Sequence, residues 1–276
     1  MAKKSTARLS KTGSVKSAAK RATRSTRVAA ERDDERPVLL ITAGPTHEPI
    51  DAVRYIGNRS SGKLGVALAV AAAECGWKVV LLLGPSAAAV PAHKLVQVLR
   101  FVTTDDLAAL LKKHQPGADA MVMAAAVADF RLAKAEKAMA AGKIKRTAAG
   151  MTLKLELTPD LLAGCSVRRD EEGFQQVLVG FALESEAKLP ASAKDKLKRK
   201  GVDAVVANEL STMESDSITA SVFYADGAVS KTPGKMSKRE FGPWLMDIIE
   251  TLVMEKAIAS QHDEEDAACG CAECAG

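Results

Sequence analysis

The stretch from Thr42 to Gly65, TAGPTHEPIDAVRYIGNRSSGKLG, constrains this chain more than any other part of it. Ahead of it, Val38-Leu39-Leu40-Ile41 is a short unbroken apolar run of the kind that makes a strand buried on both faces. Behind it, LGVALAVAAAECG reads as an Ala-rich helix that Ser60-Ser61-Gly62 opens, that runs to about Glu74 and that Gly76 ends as a C′ glycine. The connection between them carries glycines, a histidine, carboxylates, an arginine, an asparagine and two serines. Loops of that length are uncommon in a compact α/β domain unless they are functional. Strand, polar loop and glycine-bearing helix start together put a ligand at the carboxyl end of a parallel sheet.

The same alternation continues along the chain. Lys78 to Leu83 is a second buried strand, stopped by Gly84-Pro85, and Leu95 to Val102 alternates into a third. Thr104-Asp105-Asp106 is expected to cap a helix through Leu110 and Lys113. Ala120 to Val127 is a fourth apolar strand, with Ala128-Asp129-Phe130-Arg131 at its carboxyl end. Alternating strands and helices predict a doubly wound, mainly parallel sheet. Right-handed crossovers then bring the loops 42–62 and 125–131 to one rim.

Further on, Lys134 to Gly150 reads as a mobile Lys/Ala/Gly-rich loop and Met151 to Leu157 as a half-exposed strand. Thr158 as N-cap with Pro159 at the first helical position predicts a short helix. Gln176 to Leu183 and Asp203 to Ala207 are strands, the second ending at Asn208 and the two separated by a basic helix over Lys194 to Lys200. Thr219 to Thr232 predicts a hairpin turning at Asp226-Gly227, and Phe241 to Ala257 a closing amphipathic helix. No internal repeat is visible.

Charge separates the chain into three parts. The overall charge is +5, yet nine Lys/Arg and no Asp/Glu fall in the first thirty residues, which leaves the remainder at −4. Residues 1–36 are therefore a basic leader, read as a disordered extension, although its Arg/Ser-rich, acid-poor make-up is also that of an organelle transit peptide. Residues 37–257 form the folded domain and 258–276 an acidic tail with cysteines. No apolar run reaches the roughly 18 residues of a membrane span, so the default location is cytoplasmic. Cys75 and Cys165 sit in apolar helical segments and are expected to be buried thiols. Cys269, Cys271 and Cys274 follow the acidic run Asp263-Glu264-Glu265-Asp266, and with His262 they could ligate zinc or a cluster. The lack of a second ligand pair at zinc-finger spacing favours a frayed tail with redox-sensitive thiols.

Gly57 to Leu64 approaches the phosphate loop G-x-x-x-x-G-K-[ST], and Lys63 fits it, but Leu64 offers no hydroxyl to a metal ion. Ser60, Ser61 and Gly62 at a helix start still present N–H groups and a positive dipole end to an anion. Ala125-Ala126-Val127-Ala128-Asp129 lets a ligand approach the backbone, with Asp129 placed for Mg²⁺ or a ribose hydroxyl. Lys143-Ile144-Lys145-Arg146 is either a solvated charge run or a lid bringing a lysine over phosphates.

Taken together, TAGPTHEPIDAVRYIGNRSSGKLG, AAAVADFR, KIKR, TPDLL, GFALES and KLKRKGVDAVVAN resemble, in order and spacing, the phosphopantothenoylcysteine synthetase family, over about residues 37 to 256. The resemblance implies a Rossmann-like sheet with a small β-hairpin extension, a homodimer, and a ligase of coenzyme A biosynthesis. That ligase joins 4′-phosphopantothenate to L-cysteine through an acyl-nucleotide, with Mg²⁺ and normally CTP, ATP being the alternative. It also implies that Asn58 handles the acyl-nucleotide, that Arg54 is the motif arginine and that Lys143 is the catalytic lysine. The nucleotide would lie against Ala124, Ala125, Ala126 and Asp129, against Pro159, Asp160, Leu161 and Leu162, and against Phe181, Lys196 and Lys200. Ser60, Ser61, Gly62 and Lys63 would take a phosphate.

Pro45, Leu183 and Arg146 depart from the commonest family residues without removing a charge the chemistry needs. With only about 36 residues ahead of the first strand, the flavin-dependent decarboxylase often fused upstream is expected on a separate chain. Two rival readings remain. A different nucleotide-using Rossmann enzyme or NAD(P) reductase is opposed by the missing GxGxxG. A nucleic-acid-binding protein rests on the basic leader alone and is opposed by an aromatic content of 4%.

Overall fold

The apolar runs become strands because both faces of each are covered by helices. The computed structural model describes residues 36–134, 142–145, 150–212 and 215–270, the side chains beyond residue 261 excepted. The first half comprises β1 (Val38–Ala43), β2 (His47–Pro49), β3 (Tyr55–Gly57), α1 (Lys63–Glu74), β4 (Lys78–Leu83), β5 (Val96–Arg100), α2 (Thr104–His114) and β6 (Ala120–Met123). After it come β7 (Phe130–Leu132), β8 (Leu155–Leu157), α3 (Leu161–Glu172), β9 (Val177–Glu184), α4 (Leu189–Lys200) and β10 (Ala204–Glu209). The chain closes with β11 (Ser217–Ile218), β12 (Ala220–Tyr224), β13 (Val229–Lys231), β14 (Met236–Ser237) and α5 (Lys238–Gly270).

Eight strands form the main sheet in the order β13-β12-β10-β9-β6-β1-β4-β5. The six from β10 to β5 are parallel, and β12 and β13 add an antiparallel hairpin at one edge. This is the α/β, Rossmann-like architecture expected. Strand order reverses between β1 and β6, and a doubly wound sheet opens a crevice at that point.

Alternate residues of the central strands feed two cores. Leu39, Ile41, Leu81, Val122, Val179 and Val206 pack with Leu68 of α1 and Phe241, Leu245 and Ile249 of α5. Leu40, Leu82, Met121, Leu178 and Val205 pack on the other face with Leu107, Leu111, Leu162, Cys165 and Ala193 from α2, α3 and α4. Each of these Leu, Ile, Val, Met and Phe side chains, fully buried, contributes about 1.5–3 kcal/mol. The alanines of α1 let it lie close to both neighbours. A Cβ on Gly65 would stand 2.5 Å from that of Ala43 in β1, and one on Gly242 of α5 would stand 2.8 Å from that of Ala71.

Several boundaries differ from expectation, each for a visible reason. The N-cap of α2 is Thr103, which exchanges hydrogen bonds with Asp106 in a capping box. Thr104 is unavailable as a cap because it is buried, its N–H and hydroxyl each donating to Glu48 Oε1 at 2.7 Å. The helix after Pro159 begins two residues late, with Asp160 as N-cap accepting from the Ala163 N–H. Thr158 is instead drawn across to Ala128, whose carbonyl its hydroxyl meets at 2.5 Å. The fourth strand stops at Met123, and only Leu155–Leu157 of the expected 151–157 strand forms, pairing with β7 outside the main sheet. Cys165 is buried as expected, whereas Cys75 at the end of α1 is exposed.

The last helix starts earlier and runs further than 241–257, so the proposed tail boundary at 258 falls inside it. The basic leader up to residue 35, most of the loop 134–150, Arg146, Cys271 and Cys274 lie outside the described residues, as do the side chains of His262 and Cys269. Among the described residues no helix is long and apolar enough to cross a membrane.

Replacing Gly65 by Ala should destabilise the domain by about 1–3 kcal/mol through overpacking against Ala43. Urea denaturation of the variant checks this, and an unchanged midpoint would mean that α1 and β1 do not meet as closely as described.

Candidate functional site

At the switch point β1 and β6 do not separate when their sheet pairing ends. The Ala124 N–H donates to Thr42 O at 3.1 Å, the Ala126 N–H to Gly44 O at 2.9 Å, and the Thr46 N–H to Ala126 O at 3.2 Å. The Ala125 and Ala128 N–H groups are taken by the hydroxyls of Thr42 and Thr46 at 3.1 and 2.9 Å. Pro45 sits in this run without cost, because its neighbours Gly44 and Thr46 make the pairings. A third loop joins at Asp129, whose carbonyl accepts the Thr158 N–H at 3.0 Å. Three loops are thereby stitched into one floor, and small residues leave their backbone open to a ligand.

The α1 start forms one wall. Its N-cap, Gly62, lies at φ 70° with no side-chain cap and no acidic residue in the first turn, so the positive helix end is not neutralised locally. A Cβ on Gly62 would lie 2.7 Å from Ser86 Oγ, a close approach only glycine permits. Helix α4 forms the facing wall.

Between them lies a cleft of about 990 Å³. Asn58, Ser60, Ser61, Gly62 and Lys63 line it from the first loop, Ala124, Ala125, Ala126 and Asp129 from the second, and Pro159, Asp160, Leu161 and Leu162 from the third. Phe181 at the end of β9 and Lys196 and Lys200 on α4 complete it. Of the residues to which the family resemblance gives a role, all but Arg54 and Lys143 line this one space. Asn58 is oriented by donating Nδ2–H to Val127 O at 2.8 Å.

Arg54 and Lys143 stand elsewhere. The Arg54 guanidinium pairs with the Asp51 carboxylate at 2.7 Å, and its Nη2 also donates to Ile144 O at 2.7 Å. Lys143 is exposed beside that contact.

The cleft is cationic in a body of net negative charge. Arg59, Lys63, Lys196, Arg199, Lys200 and Lys238 face two carboxylates, Asp129 and Asp160. Asp160 is ion-paired with Lys200, and Lys63 with Asp216 at 2.7 Å. The Lys196 ammonium donates to Phe181 O. Burial pushes the pKa of Lys196, Lys200 and Lys238 below the ordinary lysine value. Nearby Arg199 lowers Lys196 further, and nearby Lys63 does the same to Lys238, while Asp129 opposes the shift at Lys196 and Lys200. Such a surface suits a polyanion that supplies the missing negative charge.

Arg59, Arg199, Asn208, Thr212 and Lys238 also line the cleft. The first three fall inside the motif stretches without a role assigned to them there, and Thr212 and Lys238 lie outside every motif. Among the described residues no three His, Cys, Asp or Glu side chains gather to hold a metal ion. A lone carboxylate such as Asp129 fits an Mg²⁺ that arrives on phosphates and keeps its waters.

A family model described as the DNA/pantothenate metabolism flavoprotein C-terminal domain matches residues 35–253. The chain belongs to this family. It is the phosphopantothenoylcysteine synthetase family that the motifs resemble. Among its relatives is the coenzyme A biosynthesis bifunctional protein CoaBC of Mycobacterium tuberculosis. That protein is 43% identical over 203 residues, which are 70% of this chain and 47% of the relative. The CoaBC of Escherichia coli K12 is 35% identical over 225 residues, 79% of this chain and 52% of the relative. The chain thus spans about half the length of these curated relatives. The crystal structure of the C-terminal domain of a CoaBC superposes with a TM-score of 0.64 at 30% identity, covering 79% of this chain and 96% of that one.

Lysines with depressed pKa values lose their charge earlier as pH rises. Affinity of the cleft for inorganic triphosphate should therefore begin to fall below the ordinary lysine value of about 10.4. Calorimetric titration from neutral to alkaline pH checks this, and an affinity that stays flat until that value would contradict the burial described.

Proposed function

We propose that this chain is an acid–amino-acid ligase that joins 4′-phosphopantothenate to L-cysteine through an acyl-nucleotide, with release of pyrophosphate and nucleoside monophosphate. The observation that carries the reading is the convergence of three separate loops and α4 on one cationic cleft at the switch point of the sheet. Family membership supports the substrates, since the matched relatives are coenzyme A biosynthesis proteins. The family resemblance favours CTP over ATP as the nucleotide.

The chemistry follows from charge. A carboxylate is a poor acyl donor, so one of its oxygens attacks the α-phosphorus and the bond to the leaving pyrophosphate breaks. An anion thereby approaches a polyanion, and Lys196, Lys200 and the α1 start offset the repulsion on either side of the cleft. Mg²⁺, held on the phosphates beside Asp129, would supply further charge neutralisation. Lys143, which stands outside the cleft, has to reach the α-phosphate when the ligands are bound, and there it stabilises the charge that develops. The cysteine amine then attacks the acyl carbon, nucleoside monophosphate leaves, and an amide remains after loss of a proton from nitrogen. Asn58 orients the acyl carbonyl during this second step, a contribution of about 2–4 kcal/mol if it acts as an oxyanion donor does.

The active form is a homodimer working in the cytoplasm, and its acid product passes to a decarboxylase. Exposed Val53 and Tyr55 near the β2–β3 hairpin and Phe130 and Leu155 on the β7–β8 pair offer apolar surface for a second copy.

Lys143→Ala should slow phosphopantothenate-dependent pyrophosphate release by about 10²–10³-fold. Asn58→Ala should leave that step intact and let acyl-nucleotide accumulate while its conversion by cysteine falls by about 10²-fold. Pyrophosphate release and rapid-quench product analysis, run with each of the four triphosphates, separate the two. Full activity in the lysine variant, or an unimpaired second step in the asparagine variant, would remove that residue from its role.

A further inference from the structure

Asp51 lies outside the cleft and carries no role in the mechanism above, yet it is the most heavily bonded carboxylate in this part of the molecule. Its side chain is fully shielded from solvent. Oδ1 accepts the N–H groups of Val53 and Arg54 at 2.9 and 2.8 Å, which closes the turn between β2 and β3. Oδ2 accepts Nε and Nη2 of Arg54 at 3.0 and 2.7 Å, and then the N–H of Ile144 at 3.1 Å. Arg54 Nη2 in turn donates to the Ile144 carbonyl at 2.7 Å. One ion pair therefore holds both polar groups of a single peptide residue ninety-three positions away. The Val53 N–H first, and then those of Arg54 and Ile144 and the Arg54 guanidinium, hold the Asp51 carboxyl well below the usual carboxylate range against the opposing effect of burial.

A buried carboxylate used only to close a turn needs no partner so distant in sequence. Ile144 is half-buried at this contact, and the residues on either side of it, Lys143 and Lys145, are exposed. We propose that Asp51, with Arg54, is a positioning device that docks the backbone of Ile144 and so sets where Lys143 and Lys145 start from when an anion occupies the cleft. The proposal rests on the ligase reading for what Lys143 does. The docking contact stands on geometry alone. Hydrogen bonds to a charged group of this kind are strong enough to bias a short segment toward one position by about tenfold or more.

Asp51→Asn tests it. The amide oxygen can still accept from Val53 and Arg54 and keep the turn, while the amide nitrogen cannot accept from Ile144 or from the guanidinium. Amide exchange at Ile144 should quicken by about tenfold or more. The kcat of pyrophosphate release should fall by about 10- to 100-fold, as misplacement of a catalytic group does, with the KM for the triphosphate within about twofold. A variant combining Asp51→Asn with Lys143→Ala should be no slower than Lys143→Ala alone, because Asp51 acts through that lysine. Unchanged exchange at Ile144, or slowing that multiplies with that of Lys143→Ala, would overturn the proposal. Should Asp51→Asn fail to fold, Arg54→Gln keeps the carboxylate, removes the donor to the Ile144 carbonyl and is read the same way. A wild-type chain that releases no pyrophosphate would overturn the ligase reading and with it the catalytic use of the dock, whereas Ile144 exchange would still decide whether the dock exists.

Discussion

Everything at the functional end of this molecule depends on the hydrogen bonds that continue past the ends of β1 and β6. Thr42, Gly44 and Thr46 on one side and Ala124, Ala125, Ala126 and Ala128 on the other keep two segments of the chain paired after their strand geometry has ended. A crevice at a switch point is a topological consequence of reversing strand order. Its floor is not, and here it exists because two threonine hydroxyls and a run of alanines replace the sheet ladder. Small side chains are required on both counts, since bulk at 124–126 would cover the backbone that a ligand must reach.

The second dependence is electrostatic. With the basic leader set aside the chain is net negative, yet the cleft gathers cations from α1, α4 and the start of α5. Burying cations is unfavourable, and the lowered pKa values of Lys196, Lys200 and Lys238 register that burial first, with Arg199 adding to it at Lys196 and Lys63 at Lys238. A polyanionic ligand relieves it, so the same arrangement that weakens the empty protein strengthens binding. Within the cleft the protein's own anions, Asp129 and Asp160, are too few to neutralise it, and Asp160 is already shared between an N-cap and Lys200.

How legible this was in the sequence differs by element. The central strands and α1 could be read because unbroken apolar runs and an Ala-rich helix have few other ways to be buried. The caps of α2 and α3 differ from expectation for one reason, that the threonine the sequence offers is committed to a distant partner, Glu48 for Thr104 and Ala128 for Thr158. Contacts of that kind leave no local trace. Loops 42–62 and 125–131 meet at one rim as expected, because right-handed crossovers force their strand ends there. The third loop instead follows β8 outside the main sheet and is brought in by the Thr158–Asp129 hydrogen bond. Lys238 reaches the cleft only because α5 packs on α1, a tertiary fact with no spacing rule behind it. Asp51 has no signature in the sequence, because an acid three residues before an arginine looks like an ordinary surface pair, and only the structure brings Ile144 to it.

The central claim is that the cleft brings a carboxylate oxygen into bonding contact with the α-phosphorus of a nucleotide. Phosphopantothenate labelled with ¹⁸O in its carboxylate, turned over with cysteine, magnesium and CTP, tests that contact directly. One labelled oxygen should appear in the nucleoside monophosphate and the other should stay in the amide carbonyl. Label found in inorganic phosphate, or none in the nucleotide while amide is formed, would contradict the account.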